Sequence, residues 1–253
     1  MTPARILIIA GSDSGGGAGI QADLKTVTLL GGYGMTAITA ITAQNTLGVQ
    51  GVHPIPTAMV LAQMESCIGD IGVDAVKIGM IGSAETANAV ADRLATLDNI
   101  PIVFDPVMVA TSGSTLADDA TIAAFERLIA IATLVTPNLP ELDALGGDGI
   151  AAHFNTHVLA KGGHGTGPML TDRLIGPRGV RKAWSNARID TPHTHGTGCT
   201  LASAIATGLG QGLDLMEAIE RGRKYVREAL ALAPGLGNGH GPMGAPFGFH
   251  AYA

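Results

Sequence analysis

With 253 residues, 46% of them hydrophobic and 14% charged, the chain has ample material for a packed core and none of the composition of a disordered protein. A formal net charge of −6 argues against a nucleic-acid partner, which needs a basic surface to neutralise phosphates. Cys67 and Cys199 stand far apart without the spacing of a disulfide framework or a zinc site, so the expected compartment is reducing.

The apolar start at residues 6–10 is too short for the apolar region of a signal peptide, and no later run is long enough to cross a bilayer. The expectation is a cytoplasmic protein without a membrane partner. Short apolar runs then alternate with helical stretches. Strands are predicted at residues 5–10, 35–42, 75–79, 102–105, 134–136 and 158–161, and helices at 19–30, 57–69, 83–97, 117–131 and 139–145. This alternation is the pattern of buried parallel strands joined by crossover helices, hence an α/β fold.

Beyond Lys161, two shorter strands at 169–174 and 179–184 flank Gly176-Pro177-Arg178-Gly179 and read as a β-hairpin, which makes the sheet mixed. Helices at 197–211 and 213–232 follow, then a Gly/Pro-rich coil from Pro234. Nothing divides the chain, so one domain over residues 1–253 is expected. Basic residues are absent between Lys25 and Lys77 and dense after Lys161, where Arg173, Arg178, Arg181, Lys182 and Arg188 read either as a solvated hairpin or as partners for an anion.

The segment His195-Gly196-Thr197-Gly198-Cys199-Thr200 opens an alanine-rich helix. Glycines there let backbone approach a ligand, and the unpaired N–H groups of a first helical turn suit an anion; the alternative is a tight turn capped by Thr197. At such a position a helix dipole lowers a thiol pKa, so Cys199 reads as a thiolate base or nucleophile, or as an inert buried cysteine.

The loop Gly11-Ser12-Asp13-Ser14-Gly15-Gly16-Gly17-Ala18-Gly19 lies between a strand and a helix, where α/β proteins bind ligands. It fits neither a dinucleotide loop nor a P-loop and reads as a loop closing over a substrate or a plain glycine turn. Asp23 on the next helix and Gln44 after the second strand are expected in one crevice, the Gln44 amide offering a donor and an acceptor that match an aminopyrimidine edge. Asp105 ends an apolar strand, and Asn138 with Glu141 opens a helix. Strand-end carboxylates beside a phosphate cradle suit Mg²⁺, whereas Asn138 and Glu141 also fit a capping box.

These segments occur in one order: residues 10–26, Thr42-Ala43-Gln44-Asn45-Thr46, Lys77-Ile78-Gly79-Met80, Asp105-Pro106-Val107-Met108, Thr136 to Glu141, Lys161-Gly162-Gly163-His164, and Thr194 to Thr200. Together they resemble the hydroxymethylpyrimidine/phosphomethylpyrimidine kinase family of thiamine biosynthesis. The resemblance implies a ribokinase-like three-layer α/β/α sandwich with a mostly parallel sheet and a C-terminal β-hairpin. It also implies ATP and Mg²⁺ as cofactors and two successive phosphorylations of an aminopyrimidine alcohol. Carried over residue by residue, Gln44, Asp23 and Gly11 lie at the substrate, and Met80 and Val107 pack on its ring. Gly196, Thr197, Gly198 and Cys199 form the anion hole with Cys199 as proton acceptor. Asn138 and Lys161 serve the nucleotide, and Asp105 and Glu141 serve the metal.

Two departures from the family pattern stand out. Thr111 occupies a position usually held by Lys, and residues 146–160 form a connection shorter than the usual helix-bearing one, which puts the nucleotide side in question. A pyridoxal or pyridoxine kinase of the same superfamily is the nearest alternative, and a non-catalytic pyrimidine-binding protein the next. A homodimer is the symmetry default.

Overall fold

The computed structural model describes residues 2–110, 113, 115–165 and 167–245. Among the described residues, nine strands form one sheet in the order β3-β2-β1-β4-β5-β6-β7-β8-β9. The strands are β1 Arg5–Asp13, β2 Tyr33–Asn45, β3 Gly48–Pro54, β4 Ala75–Ile78, β5 Ile102–Phe104, β6 Leu134–Val135, β7 His157–Ala160, β8 Met169–Gly176 and β9 Gly179–Ala187. Strands β2, β1, β4, β5, β6 and β7 run parallel, while β3 at one edge and the β8–β9 hairpin at the other are antiparallel.

The helices are α1 Gly19–Leu29, α2 Thr57–Asp70, α3 Ala84–Leu94, α4 Asp119–Ile131, α5 Leu139–Ala144, α6 Ile150–His153, α7 Thr197–Gly210 and α8 Leu215–Ala231. They cover both faces of the sheet because the parallel strands alternate two apolar faces. Leu7, Ile9, Val76 and Ile78 pack with Val60, Met64, Val90, Leu94 and Leu128 of α2, α3 and α4. Ile6, Ile8, Ala10 and Ala75 pack with Ile20, Val27, Leu201, Ile205 and Ile219 of α1, α7 and α8. The architecture is therefore a three-layer α/β/α sandwich. Phe104 and Phe125 meet edge to face with ring centroids 5.2 Å apart, fixing α4 on β5.

The chain leaves β1 outward to β2 on one side and then returns to β4 on the other, so the sheet has a topological switch beside β1. Crevices form at such switches beyond the carboxyl ends of the strands. Strand β3 and the one-turn α6 lie outside the predicted elements. The residues of β3, with two glycines, a proline and an almost wholly exposed burial pattern, carry no apolar alternation to betray an edge strand. The connection over residues 146–160 holds a 3₁₀ turn at Gly147–Gly149 followed by α6.

Candidate active site

Strand β1 ends at Asp13, whose carboxylate folds back into the glycine-rich loop. Oδ1 accepts from the Gly15 N–H at 2.8 Å, and Oδ2 accepts from Gly17 at 3.1 Å and Ala18 at 2.8 Å. Gly16 and Gly19 adopt positive φ of 76° and 55°, which a side chain would disfavour. His195 Nε2 lies 2.9 Å from the same Oδ2, tying the loop to the segment before α7. Burial pushes the Asp13 carboxyl up, but hydrogen bonds from His195, Ala18 and Gly15 outweigh it and hold the group below its usual range.

Helix α7 begins after Gly196, which has φ +82°; a Cβ there would lie 1.9 Å from the Gly17 carbonyl oxygen. Only glycine fits, so the two loops meet backbone to backbone. A glycine cap has no side chain to fill the first turn: the Thr197 N–H donates to Thr194 O at 3.3 Å, while the N–H groups of Gly198 and Cys199 meet no side-chain cap and retain the anion-binding character of a helix start. A Cβ on Gly198 would stand 3.2 Å from both Asp105 Oδ2 and Lys161 Nζ, so bare backbone here faces an ion pair.

That pair sits at the ends of β5 and β7. Asp105 Oδ1 accepts from Lys161 Nζ at 2.7 Å and from Thr136 Oγ1 at 2.8 Å, and the carboxylate is 2% exposed. Burial pulls the Lys161 amine down, yet Asp105 and Glu141 overcome this and keep it protonated above its usual value. Asn138 and Glu141 form a reciprocal capping box at the start of α5: Asn138 N donates to Glu141 Oε2 at 2.8 Å and Glu141 N to Asn138 Oδ1 at 2.9 Å. Burial raises the Glu141 carboxyl, with Lys161 opposing.

Beneath the anion hole lies a second buried pair. Lys77 of β4 faces the α1–α7 layer, and its Nζ donates to Asp23 Oδ2 at 2.7 Å, while Ser203 of α7 donates to Asp23 Oδ1 at 2.7 Å. Burial pulls the Lys77 amine down, but the charges of Asp23, Cys199 and Asp105 raise it well above its usual value. Burial pushes the Cys199 thiol up to about 11, against the attraction of Lys77 and with further repulsion from Asp23 and Asp105.

Gln44, half-buried at the end of β2, places its side-chain amide 3.1 Å from Thr42 Oγ1 and 3.3 Å from His195 Nε2. Gly11 and Met80 are adjacent, a Cβ on Gly11 reaching within 3.1 Å of Met80 Sδ. Val107 is half-buried two residues beyond Asp105. Gly11, Gln44, Met80 and Val107 therefore lie at or just beyond the carboxyl ends of β1, β2, β4 and β5, which are neighbours in the sheet.

Two expectations need correction. Asp23 is 0% exposed and stands under the site in its Lys77–Ser203 network rather than in an open crevice. The Cys199 thiol is raised, not lowered, because the buried surroundings and two carboxylates outweigh the helix start. Thr111 lies outside the described residues. Of the C-terminal basic residues, Arg173 pairs with Asp148, Lys182 with Glu220 and Arg223 with Asp172, away from the anion hole, and Lys161 alone of these borders it. No three His, Cys, Asp or Glu side chains among the described residues converge as a ready metal cage.

Sequence reading missed the roles of Asp13, Lys77, Thr136, His195 and Ser203 in these networks. One signal was present for Lys77: a lysine inside the apolar run Ala75-Val76-Lys77-Ile78 is buried on a parallel strand and requires a partner.

The layers, the parallel sheet with its antiparallel edges and the glycine-started helix beyond the strand ends define a ribokinase-like fold. Solved structures agree: the ADP complex of Bacillus subtilis pyridoxal kinase superposes with a TM-score of 0.86 at 32% identity, over 96% of this chain and 97% of that one. The chain belongs to the phosphomethylpyrimidine kinase family, whose model matches residues 13–244. The thiamine biosynthesis bifunctional protein ThiED of Geobacter sulfurreducens is 48% identical over 94% of this chain, which spans about half (51%) of that protein's length. The hydroxymethylpyrimidine/phosphomethylpyrimidine kinase of Streptomyces coelicolor is 45% identical over 96% of this chain and 94% of its own. No helix among the described residues is long and apolar enough to cross a membrane.

Proposed function

We propose that the chain is an ATP-dependent kinase that phosphorylates 4-amino-5-hydroxymethyl-2-methylpyrimidine and then its monophosphate, giving the diphosphate used in thiamine biosynthesis. The observation that carries this reading is the uncapped start of α7 at Gly196 to Cys199, set against the Asp105–Lys161 pair. Its support in kinship is the name carried by the Streptomyces coelicolor relative, which this chain matches nearly end to end.

The donor set suits the cofactors. Asp105 and Glu141 offer only oxygen, which fits a hard cation such as Mg²⁺ held with its waters, and the α7 N–H groups with Lys161 fit phosphate oxygens. When bound, the magnesium nucleotide supplies the phosphoryl group and neutralises part of its charge. In this reading Asn138 lies on the nucleotide side, holding Glu141 through the capping box.

The chain's own residues do the rest. Gln44 reads the polar edge of the ring, while Met80 and Val107 pack on it and Gly11 lies beside it. The backbone N–H groups of Gly198 and Cys199, with Lys161, stabilise negative charge as the bond to the leaving group breaks and the new O–P bond forms. Cys199 takes the hydroxyl proton as a thiolate. Lys77 favours that form and burial opposes it. Asp23 acts through Lys77 rather than by touching the substrate.

One domain, a cytoplasmic location and a homodimer complete the reading. The single continuous sheet and the two free cysteines support the first two, and the size of the purified chain in solution tests the third. The function itself is tested by ADP release with Mg-ATP and either the pyrimidine or pyridoxal. A kcat/KM favouring pyridoxal by more than about tenfold, about 1.4 kcal/mol of transition-state binding, overturns the substrate assignment.

A further inference from the structure

Strand β1 pairs with β2 only as far as Asp13 opposite Thr42, after which its backbone turns into the glycine-rich loop. Gln44 stands two residues further along β2, and the Ser14 side chain there supplies the pairing that the departing backbone does not. Ser14 Oγ accepts from the Gln44 N–H at 2.8 Å and donates to the Gln44 carbonyl oxygen at 2.9 Å. A hydroxyl carries one hydrogen and two lone pairs, so this one group serves both backbone positions of Gln44. Gly15 closes the contact, since a Cβ on it would lie 3.2 Å from Gln44 O and 3.4 Å from Asn45 Cα.

The same segment is held a second time, from the far end of the chain. After α8 the tail folds back so that Gly239 lies on Thr46, its N–H donating to Thr46 Oγ1 at 3.3 Å. A Cβ on Gly239 would collide with the Thr46 carbonyl oxygen, so the approach is backbone to backbone. The tail is itself fastened on either side of this contact. His240 Nδ1 lies 3.0 Å from Pro192 O, Gly241 O accepts from the His195 N–H at 3.3 Å, and Gly244 N donates to Ala229 O of α8 at 2.9 Å. Support of this kind matters here because β3, the other neighbour of β2, is an exposed edge strand. The β2–β3 register also shifts between Ala43 and Gln44, and such a bulge bends a strand and re-aims its side chains.

We infer that Ser14 and Gly239 are positioning residues that clamp residues 44–46 from two separate segments and so hold the Gln44 side chain where a heteroaromatic ring is recognised. The recognition clause rests on the proposed function, in which Gln44 reads the ring. The clamp itself rests only on the contacts. Neither residue touches the reacting atoms, so the expected effect falls on ring binding and not on the nucleotide.

Two measurements test it. Amide hydrogen exchange, followed by NMR on the full chain, reads the clamp: in Ser14→Ala the Gln44 N–H should exchange about tenfold faster while that of Ile8, buried in β1, is unchanged. Ser14→Thr keeps the hydroxyl and should exchange as wild type does. Calorimetry reads the consequence. Ser14→Ala should bind 4-amino-5-hydroxymethyl-2-methylpyrimidine about fivefold more weakly, the scale of one hydrogen bond, and a non-hydrolysable ATP analogue with Mg²⁺ as tightly as wild type; Ser14→Thr should bind both normally. Gly239→Ala should show the same selective weakening. If it does not fold, Thr46→Val takes its place, removing only the acceptor of the Gly239 N–H. An unchanged Gln44 exchange rate in Ser14→Ala, equal weakening toward both ligands, or no recovery in Ser14→Thr refutes the positioning role. Should wild type bind no pyrimidine, the proposed function fails, while the exchange rate still judges the clamp.

Discussion

Lys77 Nζ and Asp23 Oδ2 lie 2.7 Å apart, and neither side chain has any exposed surface. A lysine on a central strand and a carboxylate on the first helix thus neutralise each other directly beneath the anion hole. Removing one partner strands the other charge in the core. Lys77→Met is expected to cost about 3–5 kcal/mol of unfolding free energy, read by urea denaturation, whereas Lys77→Met with Asp23→Leu loses much less than the two single changes summed. Additive losses would mean that the pair contributes nothing as a pair.

Gly196 is required by space as well as by conformation. Gly212 has a similar φ of +86°, but a Cβ added there would meet nothing within 4 Å, so it isolates the conformational part. Gly212→Ala should cost about 1–2 kcal/mol, the left-handed penalty alone. Gly196→Ala carries in addition the collision with Gly17 O and should abolish turnover even where the protein still melts cooperatively. Equal melting temperatures and full activity for Gly196→Ala would show that the two loops yield to each other.

Asp13 makes the fold sensitive to acid in one direction. Its folded pKa lies below the unfolded value, so the stabilisation is complete above the unfolded pKa and is lost as pH falls through the folded one. The gap in melting temperature between wild type and Asp13→Ala should be widest near neutral pH and narrow below about pH 4. A gap that widens in acid would contradict the ionised carboxylate.

The Cys199 thiol predicts a pH profile of the opposite sense. With its pKa pushed up to about 11, the thiolate is a minor species near neutrality and grows as pH rises toward that value. Alkylation of Cys199 by iodoacetamide, followed by peptide mass spectrometry, should accelerate about tenfold per pH unit between about pH 7 and 10. The kcat/KM for the pyrimidine should rise in parallel, because it reports the free enzyme. A plateau in both below about pH 8 would mean a depressed thiol.

Much of this architecture was legible in the chain, for reasons that particular residues make plain. The runs around Ile6 to Ala10 and Val103 are apolar on both faces, as strands covered by two helical layers must be, and glycine-led helix starts betray themselves by composition. Strand β3 was not legible, since an exposed edge leaves no apolar period. Nor was the setting of Asp23: its partner Lys77 is 54 residues away, and no local pattern reveals that the two meet. Cys199 failed for a related reason. The local helix start argues for a low pKa, and only tertiary burial beside Asp23 and Asp105 reverses it.

The most direct test of the central claim is the identity of the product. The purified full chain is incubated with Mg-ATP and 4-amino-5-hydroxymethyl-2-methylpyrimidine and followed by phosphorus NMR. The account predicts a phosphate monoester on the hydroxymethyl oxygen that gives way to the diphosphate, with both signals absent for Gly196→Ala. ADP formation without either phosphorylated pyrimidine, or none at all alongside ready phosphorylation of pyridoxal, would contradict it.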